Sequence, residues 1–379
     1  DAKIHGAKVL VYSEVIEFIK EQDTIKGVKV LDHHTGIVTD YHAPVTVNAG
    51  GIWGHHIAQM AGANISMFPA KGALLIFAHR VNSVVINRCR KPANADILVP
   101  GDTVCVIGTT STRVPYEECD HLKVTPDEVD LLLTEGAKLA PCLAETRVLR
   151  AYAGVRPLVS ADNDPSGRNI SRGIVCLDHE SRDGIKGFIS ITGGKLMTYR
   201  LMGEMAADAV CKKLGRDAKC VTADTPLPGS EPGGIEEISK KIWEVPTMVQ
   251  KASVGRFGTQ AAKLDFDGDV KGSLVCECEE VSVSEVDSAI ENLEVNNLVD
   301  LRRRTRFGMG TCQGELCACR AAGRLAKARK CTSKARADLK DFMNERWKGM
   351  YPVAWGETLR ESAYTQWVYS EVMGLGEEI

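Results

Sequence analysis

The chain has 379 residues, of which 44% are hydrophobic and 26% are charged, and its formal net charge is -3. Such a composition is typical of a soluble globular protein with two or three domains, and it provides no general attraction to nucleic acid or anionic lipid. The apolar runs fall far short of the roughly 20 residues that a bilayer-spanning helix requires. An odd number of cysteines, mostly single and in apolar surroundings, favours a reducing cytoplasm.

The first 221 residues alternate between strand-like and helix-like segments, which predicts a mixed α/β domain. Strands are predicted at 8–12, 15–20, 27–41, 44–49, at several positions between 65 and 110, and at 146–159, 173–180 and 187–192. Helices are predicted at 51–62, at 125–141 behind a Thr125 N-cap, and at 194–215.

The rest of the chain has a mainly helical pattern. Three prolines and three glycines within residues 225–234 predict a linker. Ser282 and Glu285 have the spacing of a capping box at the start of a predicted helix. Helices are predicted at 282–293, at 296–306, and from near Cys312 to 330. The predicted organisation is a domain at 1–224, a linker and helical connection at 225–271, a small helical domain at 272–330, and a tail at 331–379 that contains Trp347, Trp355 and Trp367.

Five of the thirteen cysteines lie between residues 276 and 319. Four of them, Cys276, Cys278, Cys312 and Cys317, form a Cys-x-Cys pair and a Cys-x4-Cys pair that are separated by 33 residues. Four thiolates can hold a [2Fe–2S] cluster or a tetrahedral zinc ion. Structural zinc usually takes pairs with two to four intervening residues, so the spacing favours the cluster. Zinc and unliganded reduced thiols are the alternatives.

The second cysteine pair lies where a glycine-rich turn is predicted to enter a helix. Free N–H groups and the helix dipole favour negative charge at such a position, and an oxidised cluster with four thiolates carries about two negative charges. Four arginines lie just upstream and either add to this effect or form a solvated helix face: Arg302, Arg303, Arg304 and Arg306. Cys319 is interpreted as a bystander. Residues 272–325 resemble the helical iron–sulfur domain of bacterioferritin-associated ferredoxin, and this resemblance implies an electron relay.

Three stretches in the α/β part have the character of a ligand site. "VNAGGIW" at 47–53 and "ITGGKLMTYR" at 191–200 each end a strand in small residues before a helix, which lets the backbone approach a bulky ligand. The second stretch also predicts an anion site at the N–H groups of Gly194, Lys195 and Leu196. "AYAGVRPLV" at 151–159 places Arg156 within a predicted strand. Taken singly, each signal is weak and is more typical of a buried turn, a surface arginine or an ordinary helix start.

In combination and order, these stretches resemble the FAD-dependent glycerol-3-phosphate dehydrogenases. Together with the ferredoxin-like domain and the Trp-rich tail, they resemble the anaerobic branch of that family over nearly the whole chain. Further matching stretches are "MFPAKGALLI", "RCRKPANADILVPGDT", "DNDPSGRNISRGIV" and "NERWKGMYPVAWG". The implied fold is the mixed-sheet α/β part of an FAD-dependent oxidoreductase, followed by a small all-α iron–sulfur domain.

The resemblance implies oxidation of sn-glycerol 3-phosphate to dihydroxyacetone phosphate, with FAD and a [2Fe–2S] cluster as cofactors. Electrons would pass to the other subunits of a complex, a membrane anchor and iron–sulfur subunits, and then indirectly to menaquinone. It also implies a cytoplasmic protein that is peripheral on the inner face of the cell membrane, with the Trp-rich tail as a candidate docking surface. Nucleic acid is not an expected partner.

The resemblance also implies roles for particular residues. Arg156 would hold the substrate beside the flavin, and Arg172 would bind its phosphate, because guanidinium offers planar, bidentate donors. Lys195 would lie beside the substrate and the flavin edge where negative charge develops on reduction. The remaining expected flavin contacts are Val15 at the adenine and Ala49, Gly50, Gly193, Gly194 and Leu196 along the ring system.

Two features depart from the family pattern. Leu74 stands where aerobic members carry a histidine, so the group that accepts the C2 hydroxyl proton stays unassigned. The G-x-G-x-x-G fingerprint that binds the FAD pyrophosphate is absent from these 379 residues. The sequence begins at Asp1 and is expected to be part of a longer protein. Two other interpretations therefore stay open: a non-catalytic iron–sulfur electron-transfer or assembly module, or a flavin enzyme of the amino-acid-oxidase type.

Overall fold

A computed structural model describes residues 1–159, 173–241, 245–268 and 270–376. The chain divides into two compact units. Unit 1 comprises Asp1–Gly72, Ser111–Leu122 and Gly154–Thr225, and unit 2 comprises Ala73–Thr110, Lys123–Ala153 and Pro226–Ile379. In the described ranges, none of the helices combines the length and the apolar character that crossing a lipid bilayer requires.

The strands are numbered in chain order. They are β1 (Ser13–Glu21), β2 (Thr24–Asp32), β3 (Val38–His42), β4 (Thr46–Asn48), β5 (Met67–Phe77), β6 (Ile86–Asn87), β7 (Ile97–Pro100), β8 (Cys105–Gly108), β9 (Thr112–Arg113), β10 (Val148–Val159), β11 (Ile174–Asp178), β12 (Phe188–Gly193), β13 (Leu274–Cys276) and β14 (Val281–Ser282).

The α-helices follow the same convention. They are α1 (Gly54–Ala61), α2 (Pro126–Leu139), α3 (His179–Asp183), α4 (Tyr199–Lys213), α5 (Gly234–Lys240), α6 (Thr247–Phe257), α7 (Val283–Asn292), α8 (Leu298–Thr305), α9 (Ala318–Arg329), α10 (Ala335–Met350) and α11 (Gly356–Trp367).

Unit 1 contains two small sheets that position the candidate ligand site. The first is an antiparallel meander in the order β1-β2-β3. The second has the order β11-β12-β4, in which β12 pairs antiparallel with β11 and parallel with β4. Phe18, Ile25 and Phe188 are buried in the apolar core that these elements share with α1. Because β4 and β12 run side by side, the turns at their ends open at the same edge of the sheet.

A further sheet has the strand order β10-β5-β8-β7-β6, with β9 also paired to β5. Within unit 2, α2 packs on this sheet through Val129 and Leu132, which lie in one core with Leu75 and Phe77. Thr125 caps α2 and forms a capping box with Glu128, as the sequence predicts.

The C-terminal part of unit 2 is helical, which confirms the predicted change of fold class. Helices α7, α8, α9 and α10 enclose one apolar core that includes Val286, Leu301, Phe307 and Leu325. The capping box at Ser282 and Glu285 is present at the start of α7. This core also contains Cys276 and Cys317, so two of the four candidate ligands are part of the hydrophobic interior.

The strand predicted at residues 8–12 is wrong. Those residues form irregular backbone with a bend at Val11 and Tyr12, and the β1–β2 ladder ends at the pair Ser13↔Asp32. Val9 and Leu10 are 45% and 41% exposed, so their apolar side chains have not been drawn into a sheet. A strand requires a partner backbone as well as the right residue types, and the β1–β2 register does not extend this far.

Candidate active site and cysteine cluster

Unit 1 contains a cavity of about 750 Å³ at the open edge of the β11-β12-β4 sheet. Its wall is formed by the turn after β4, by the second half of β10, by the end of β12, and by one face of α4. Most of its lining is apolar or glycine, with Arg156 and Lys195 as the charged groups among the described residues. Of the predicted residues, the cavity brings together Ala49, Arg156, Gly193, Gly194, Lys195 and Leu196.

The double glycine at the end of β12 is required by backbone geometry. Gly193 and Gly194 have φ values of +75° and +71°, a region that L-residues with side chains rarely adopt. A Cβ at Gly193 would stand 2.4 Å from the carbonyl oxygen of Gly173, and one at Gly194 would stand 2.9 Å from Thr198 Oγ1. These two residues therefore allow the backbone to turn here, and they line the cavity without side chains.

Arg156 is held against the backbone of β5. A Cβ at Gly72 would lie 2.6 Å from Arg156 Nη2 and 3.0 Å from its Cζ, so only glycine leaves room for the guanidinium in this position. The guanidinium is partly buried at the wall of the cavity, with Pro157 following it in β10. A charge placed in this way has a fixed direction and reduced hydration, which strengthens its interaction with an anion.

The anion site predicted at the start of α4 is not formed as expected. The N–H of Gly194 donates to the Gly173 carbonyl (3.1 Å) and the N–H of Lys195 donates to Thr198 Oγ1 (3.0 Å). Residues Leu196–Thr198 form a 3₁₀ turn and the α-helix begins only at Tyr199. Two of the three expected N–H donors are therefore used internally, and the Lys195 side chain is the positively charged group at this position.

A chain of buried hydrogen bonds supports the turn after β4. Asp183 Oδ2 lies 2.6 Å from His179 Nδ1, and His179 Nε2 lies 2.8 Å from Ser190 Oγ. Asn48 Nδ2 donates to Ser190 Oγ (3.1 Å), and Asn48 Oδ1 accepts from the N–H of Gly50 (3.1 Å). Gly50 itself does not line the cavity, but this bond fixes its neighbours Ala49 and Gly51, which do.

Thr192 is a candidate ligand-binding residue of the cavity that the sequence pattern does not indicate. It is 3% exposed, it lines the cavity, and its Oγ1 has no hydrogen-bond partner among the described residues. A buried hydroxyl without a partner is costly, and a heteroaromatic ring with polar edges would supply the missing partner. Tyr199 and Met202 of α4 complete the wall. The cavity is lined by glycines and apolar side chains, and it contains the unpartnered Thr192 hydroxyl and two cationic side chains. These features fit a flavin ring.

Three other sequence expectations fall elsewhere. Val15 is half-buried in β1, where it pairs with Val30, and does not line the cavity. Arg172 lies outside the described residues. Leu74 is in β5 opposite Gly108. Among the described residues that line the cavity there is no histidine, aspartate or glutamate, so the proton acceptor stays unassigned.

The four predicted cysteines of unit 2 lie close together. Cys278 Sγ is 3.8 Å from Cys312 Sγ. Cys317 lies within hydrogen-bonding reach of both Cys276 and Cys312; its thiol lowers the pKa of Cys276 to about 7 and that of Cys312 to about 5, and these contacts raise its own pKa. Burial raises the pKa of Cys278. Thiols that lie this close together can release their protons and bind a metal in their place.

The backbone around the sulfurs favours negative charge. Cys276 accepts hydrogen bonds from the N–H groups of Gly308 and Glu279, and Cys312 accepts from those of Gly314 and Leu316. N–H donors aimed at thiolates are a regular feature of iron–sulfur sites. In the part of the chain that the structure describes, no group of three or more His, Cys, Asp or Glu side chains is arranged around a single metal position. The sulfur contacts and N–H donors nevertheless fit a [2Fe–2S] cluster, in which each iron takes only two cysteines.

The loop of the second pair explains why α9 begins later than predicted. Gln313 and Gly314 have φ values of +50° and +94°, which a right-handed helix excludes, so α9 begins at Ala318 and not near Cys312. A Cβ at Gly310 would lie 2.4 Å from Cys278 Cβ, so this glycine lets the two cysteine loops meet. Cys319 contacts Tyr369 Oη (3.7 Å) and Met373 Sδ (3.8 Å), contacts outside the set of four thiols.

Comparison with known proteins agrees with this geometry. Residues 1–200 match the family model described as FAD dependent oxidoreductase, and residues 274–325 match the model described as BFD-like [2Fe-2S] binding domain. The protein is therefore an FAD-dependent oxidoreductase with a [2Fe–2S]-binding domain.

Curated relatives narrow this class. The chain is 57% identical over 378 residues to the A subunit of anaerobic glycerol-3-phosphate dehydrogenase from Haemophilus influenzae, and 58% identical over 379 residues to its counterpart from Escherichia coli K12. The alignments cover all of this chain, 67% of the Haemophilus influenzae protein and 70% of the Escherichia coli protein. The chain therefore belongs to the family of the A subunits of anaerobic glycerol-3-phosphate dehydrogenase.

A solved structure gives the same fold. The chain matches the glycerol-3-phosphate dehydrogenase of Bacillus halodurans complexed with FAD, with a TM-score of 0.70 and 21% identity, over 94% of this chain and 72% of that one. At this identity the match supports the fold class alone.

Proposed function

We propose that the protein oxidises sn-glycerol 3-phosphate to dihydroxyacetone phosphate as the catalytic subunit of a quinone-linked complex. The observation that carries this proposal is the placement of Arg156 and Lys195 on the wall of one glycine-lined cavity that fits a flavin. Two cations there suit an anionic substrate, and the negative charge that develops at C2 and on the flavin, better than they suit a neutral polyol. Two relatives that are named as subunits of glycerol-3-phosphate dehydrogenase are 57% and 58% identical in sequence to this chain.

The proposed roles follow from the chemistry of each group. FAD supplies the two-electron oxidation at C2 when it is bound. Arg156, fixed by Gly72, orients the substrate and stabilises negative character at the C2 oxygen. Lys195 stabilises charge at the edge of the ring, and Ala49, Gly193, Gly194 and Leu196 form the cradle. Gly50 contributes its backbone to the turn that holds Ala49, and Val15 flanks the adenine.

Arg172 is proposed as the phosphate ligand on the basis of sequence resemblance. A guanidinium can donate two parallel hydrogen bonds to a phosphate, and this contact is the same in the ground state and the transition state. Its loss is therefore expected mainly to raise KM, whereas loss of Arg156 is expected to lower kcat as well.

The proposed electron path leaves through the cysteine cluster. Cys276, Cys278, Cys312 and Cys317 are proposed to ligate the [2Fe–2S] centre, which transfers one electron at a time to partner subunits and finally to menaquinone. The relatives are named as one subunit of their enzyme, which supports a multi-subunit complex. We place the protein in the cytoplasm, peripheral on the inner face of the cell membrane, with domain boundaries at 1–224, 225–271, 272–330 and 331–379.

The tryptophans of the C-terminal segment support a docking role for that segment. Trp347, Trp355 and Trp367 are 40%, 48% and 56% exposed. Trp347 and Trp367 line a cavity of about 580 Å³ together with Leu359. Exposed tryptophans around a hollow are typical of protein–protein contact sites, so this face is proposed to dock a partner subunit.

The experiment compares flavin reduction by sn-glycerol 3-phosphate and by glycerol in stopped flow, in a chain that includes a dinucleotide-binding segment. Wild type is expected to prefer the phosphorylated substrate strongly. Arg172→Ala should reduce that preference by the equivalent of about 2–3 kcal/mol, mainly through KM. If Arg172→Ala keeps the wild-type preference, Arg172 is not the phosphate ligand.

One observation favours a second possibility for these 379 residues taken alone. They contain no G-x-G-x-x-G sequence, which in this fold binds the FAD pyrophosphate. We therefore expect the isolated chain to hold the cluster but to bind FAD weakly, and so to behave as an electron-transfer module. Comparing the FAD dissociation constant with and without a dinucleotide-binding segment tests this expectation.

A further inference from the structure

Arg346 and Arg302 lie close to the loop of the second cysteine pair, and Arg150 lies near both of them. Arg346 of α10 and Arg150 of β10 are each 4% exposed. Arg302 of α8 is partly buried, and its Nε donates to the Gly308 carbonyl (3.3 Å). Arg150 and Arg346 lie outside residues 274–325, which match the [2Fe-2S] family model. The position of Arg302 beside the cysteine motif is visible in the sequence, whereas that of the other two appears only in the fold.

These arginines have fewer anionic partners than their neighbours. Arg256, Arg306 and Arg320 each form an ion pair with a glutamate at hydrogen-bonding distance. Arg346 Nε and Nη2 have no hydrogen-bond partner among the described residues, and its nearest carboxylate oxygen is 3.9 Å away on Glu315. A guanidinium buried to this extent requires a counter-charge.

Arg150 and Arg302 add to the positive charge. Arg150 Nη2 donates to the carbonyl (3.2 Å) and to Oε1 (3.4 Å) of Glu345, whose side chain is 36% exposed. Gly349 of α10 packs flat on this guanidinium, because a Cβ there would lie 2.5 Å from Arg150 Nε. Burial lowers the pKa of Arg150 to about 9, and the charge of Arg302 acts in the same direction.

The cysteine sulfurs act on this set. Burial lowers the pKa of Arg346, and the charges of Glu315, Glu361 and Cys312 oppose that shift. Burial likewise lowers the pKa of Arg302, and Glu345 and Cys317 are among the opposing charges. The contacts agree with this: Arg302 is bonded to the carbonyl of Gly308, and Arg346 lies 3.9 Å from the carboxylate of Glu315, whose N–H donates to the Cys312 carbonyl (3.2 Å).

We propose that Arg346, Arg302 and Arg150 form a buried cationic set whose counter-charge is the cluster, and that this set raises the reduction potential of the cluster. The inference rests on the proposed assignment of the four cysteines as ligands. Reduction adds one electron and hence one negative charge to a centre that already carries about two. Nearby positive charge in a medium of low polarity stabilises the reduced form more than the oxidised form.

The test is a potentiometric titration of the iron-loaded protein, followed by the EPR signal of the reduced cluster. Arg346→Met keeps the length of the side chain and removes its charge. At a fixed potential, its reduced-to-oxidised ratio should fall about tenfold, which is 59 mV for one electron. Arg346→Lys keeps the charge, so its reduced-to-oxidised ratio should stay within about threefold of the wild-type ratio. Arg150→Met should shift the ratio in the same direction as Arg346→Met.

Two further variants control for general effects. Glu345→Gln removes a negative charge beside Arg150 and should shift the potential upward, opposite to the arginine variants. Arg360→Met removes an arginine of α11 whose side chain is 74% exposed, and should leave the potential unchanged. Equal potentials in wild type, Arg346→Met and Arg150→Met would overturn the proposal.

Failure to load iron is also informative. If both methionine variants lose the cluster while the Arg346→Lys and Arg150→Lys proteins keep it, the charges are needed to hold the cluster, as proposed. If the lysine variants lose it too, the arginines act through packing alone and the proposal is wrong. Absence of a [2Fe–2S] spectrum in wild type would instead refute the ligand assignment itself, so the two failures are distinguishable.

Discussion

Gly72 and Arg156 are in such close contact that β5 has no room for a side chain at this point: a Cβ on Gly72 would lie 2.6 Å from Arg156 Nη2. Gly72 thus determines where the guanidinium stands in the cavity, although nothing in the local sequence gives it that role. The contact explains how an arginine in a strand can be held rigidly at the wall of the cavity.

Gly72→Ala is therefore expected to displace Arg156 and lower kcat/KM for glycerol 3-phosphate by about 100-fold, the usual effect of a misplacement near 1 Å. The flavin should still bind, because the cradle at Gly193 and Gly194 is unchanged. The matched control is Gly154→Ala in β10, where an added Cβ meets no atom within 4 Å. Equal losses in the two variants would show that Gly72 does not position Arg156.

Thr192→Val is expected to have opposite effects on stability and on binding. It removes a buried hydroxyl that lacks a partner among the described residues, so the FAD-free protein should become more stable. FAD should bind about 5- to 10-fold more weakly, because a hydrogen bond to the ring is lost. Thermal denaturation and fluorescence titration with FAD measure the two effects, and Thr192→Ser should bind like wild type. Unchanged FAD affinity in Thr192→Val would exclude Thr192 as a ligand.

Replacement of any one of Cys276, Cys278, Cys312 or Cys317 by serine is expected to remove or strongly weaken the iron–sulfur absorption. Cys319→Ser is the control and should retain it, because Cys319 contacts Tyr369 and Met373. The measurement is iron content and visible absorption of anaerobically prepared protein. Zinc without iron in the wild-type protein would contradict the relay.

The docking face is best tested by point substitution. Deleting residues 345–379 would also remove Met350, Val353 and Tyr369, which are 1%, 0% and 5% exposed, so the helical core would be damaged. Trp347→Ser combined with Trp367→Ser should instead reduce retention with the membrane fraction and partner subunits while flavin reduction continues. Leu293→Ser, at an exposed apolar residue that follows α7, is the control. Undiminished retention of the double variant would count against the docking role.

Local signals predict elements well wherever the chain itself supplies the stabilising contact. Thr125 with Glu128 and Ser282 with Glu285 close their capping boxes within four residues, so both helix starts could be predicted directly. The cysteine spacing likewise predicts a compact set of four sulfurs. The two capping boxes depend on residues that are near one another in sequence. The cysteine pattern depends instead on the need of a metal centre for four thiolates, which joins two pairs that lie 33 residues apart.

Signals that depend on distant parts of the chain could not be predicted in this way. Residues 8–12 have strand-forming side chains but no partner in the β1–β2 register. The helices α4 and α9 begin later than predicted because left-handed residues, Gly194 and Gln313 among them, interrupt the helical pattern. Thr192, Gly72, Arg150 and Arg346 acquire their importance only through tertiary contacts, and nothing in their local sequence marks them.

We propose that one protein takes electrons from glycerol 3-phosphate and delivers them to its own iron–sulfur centre. To test this directly, sn-glycerol 3-phosphate is mixed anaerobically with FAD- and iron-loaded protein that includes a dinucleotide-binding segment. The flavin absorbance and the EPR signal of the cluster are then followed together. We expect bleaching of the flavin band, followed by the signal of a reduced [2Fe–2S] cluster, and neither change when plain glycerol is added. Flavin bleaching with no reduction of the cluster, or no bleaching by glycerol 3-phosphate, would contradict it.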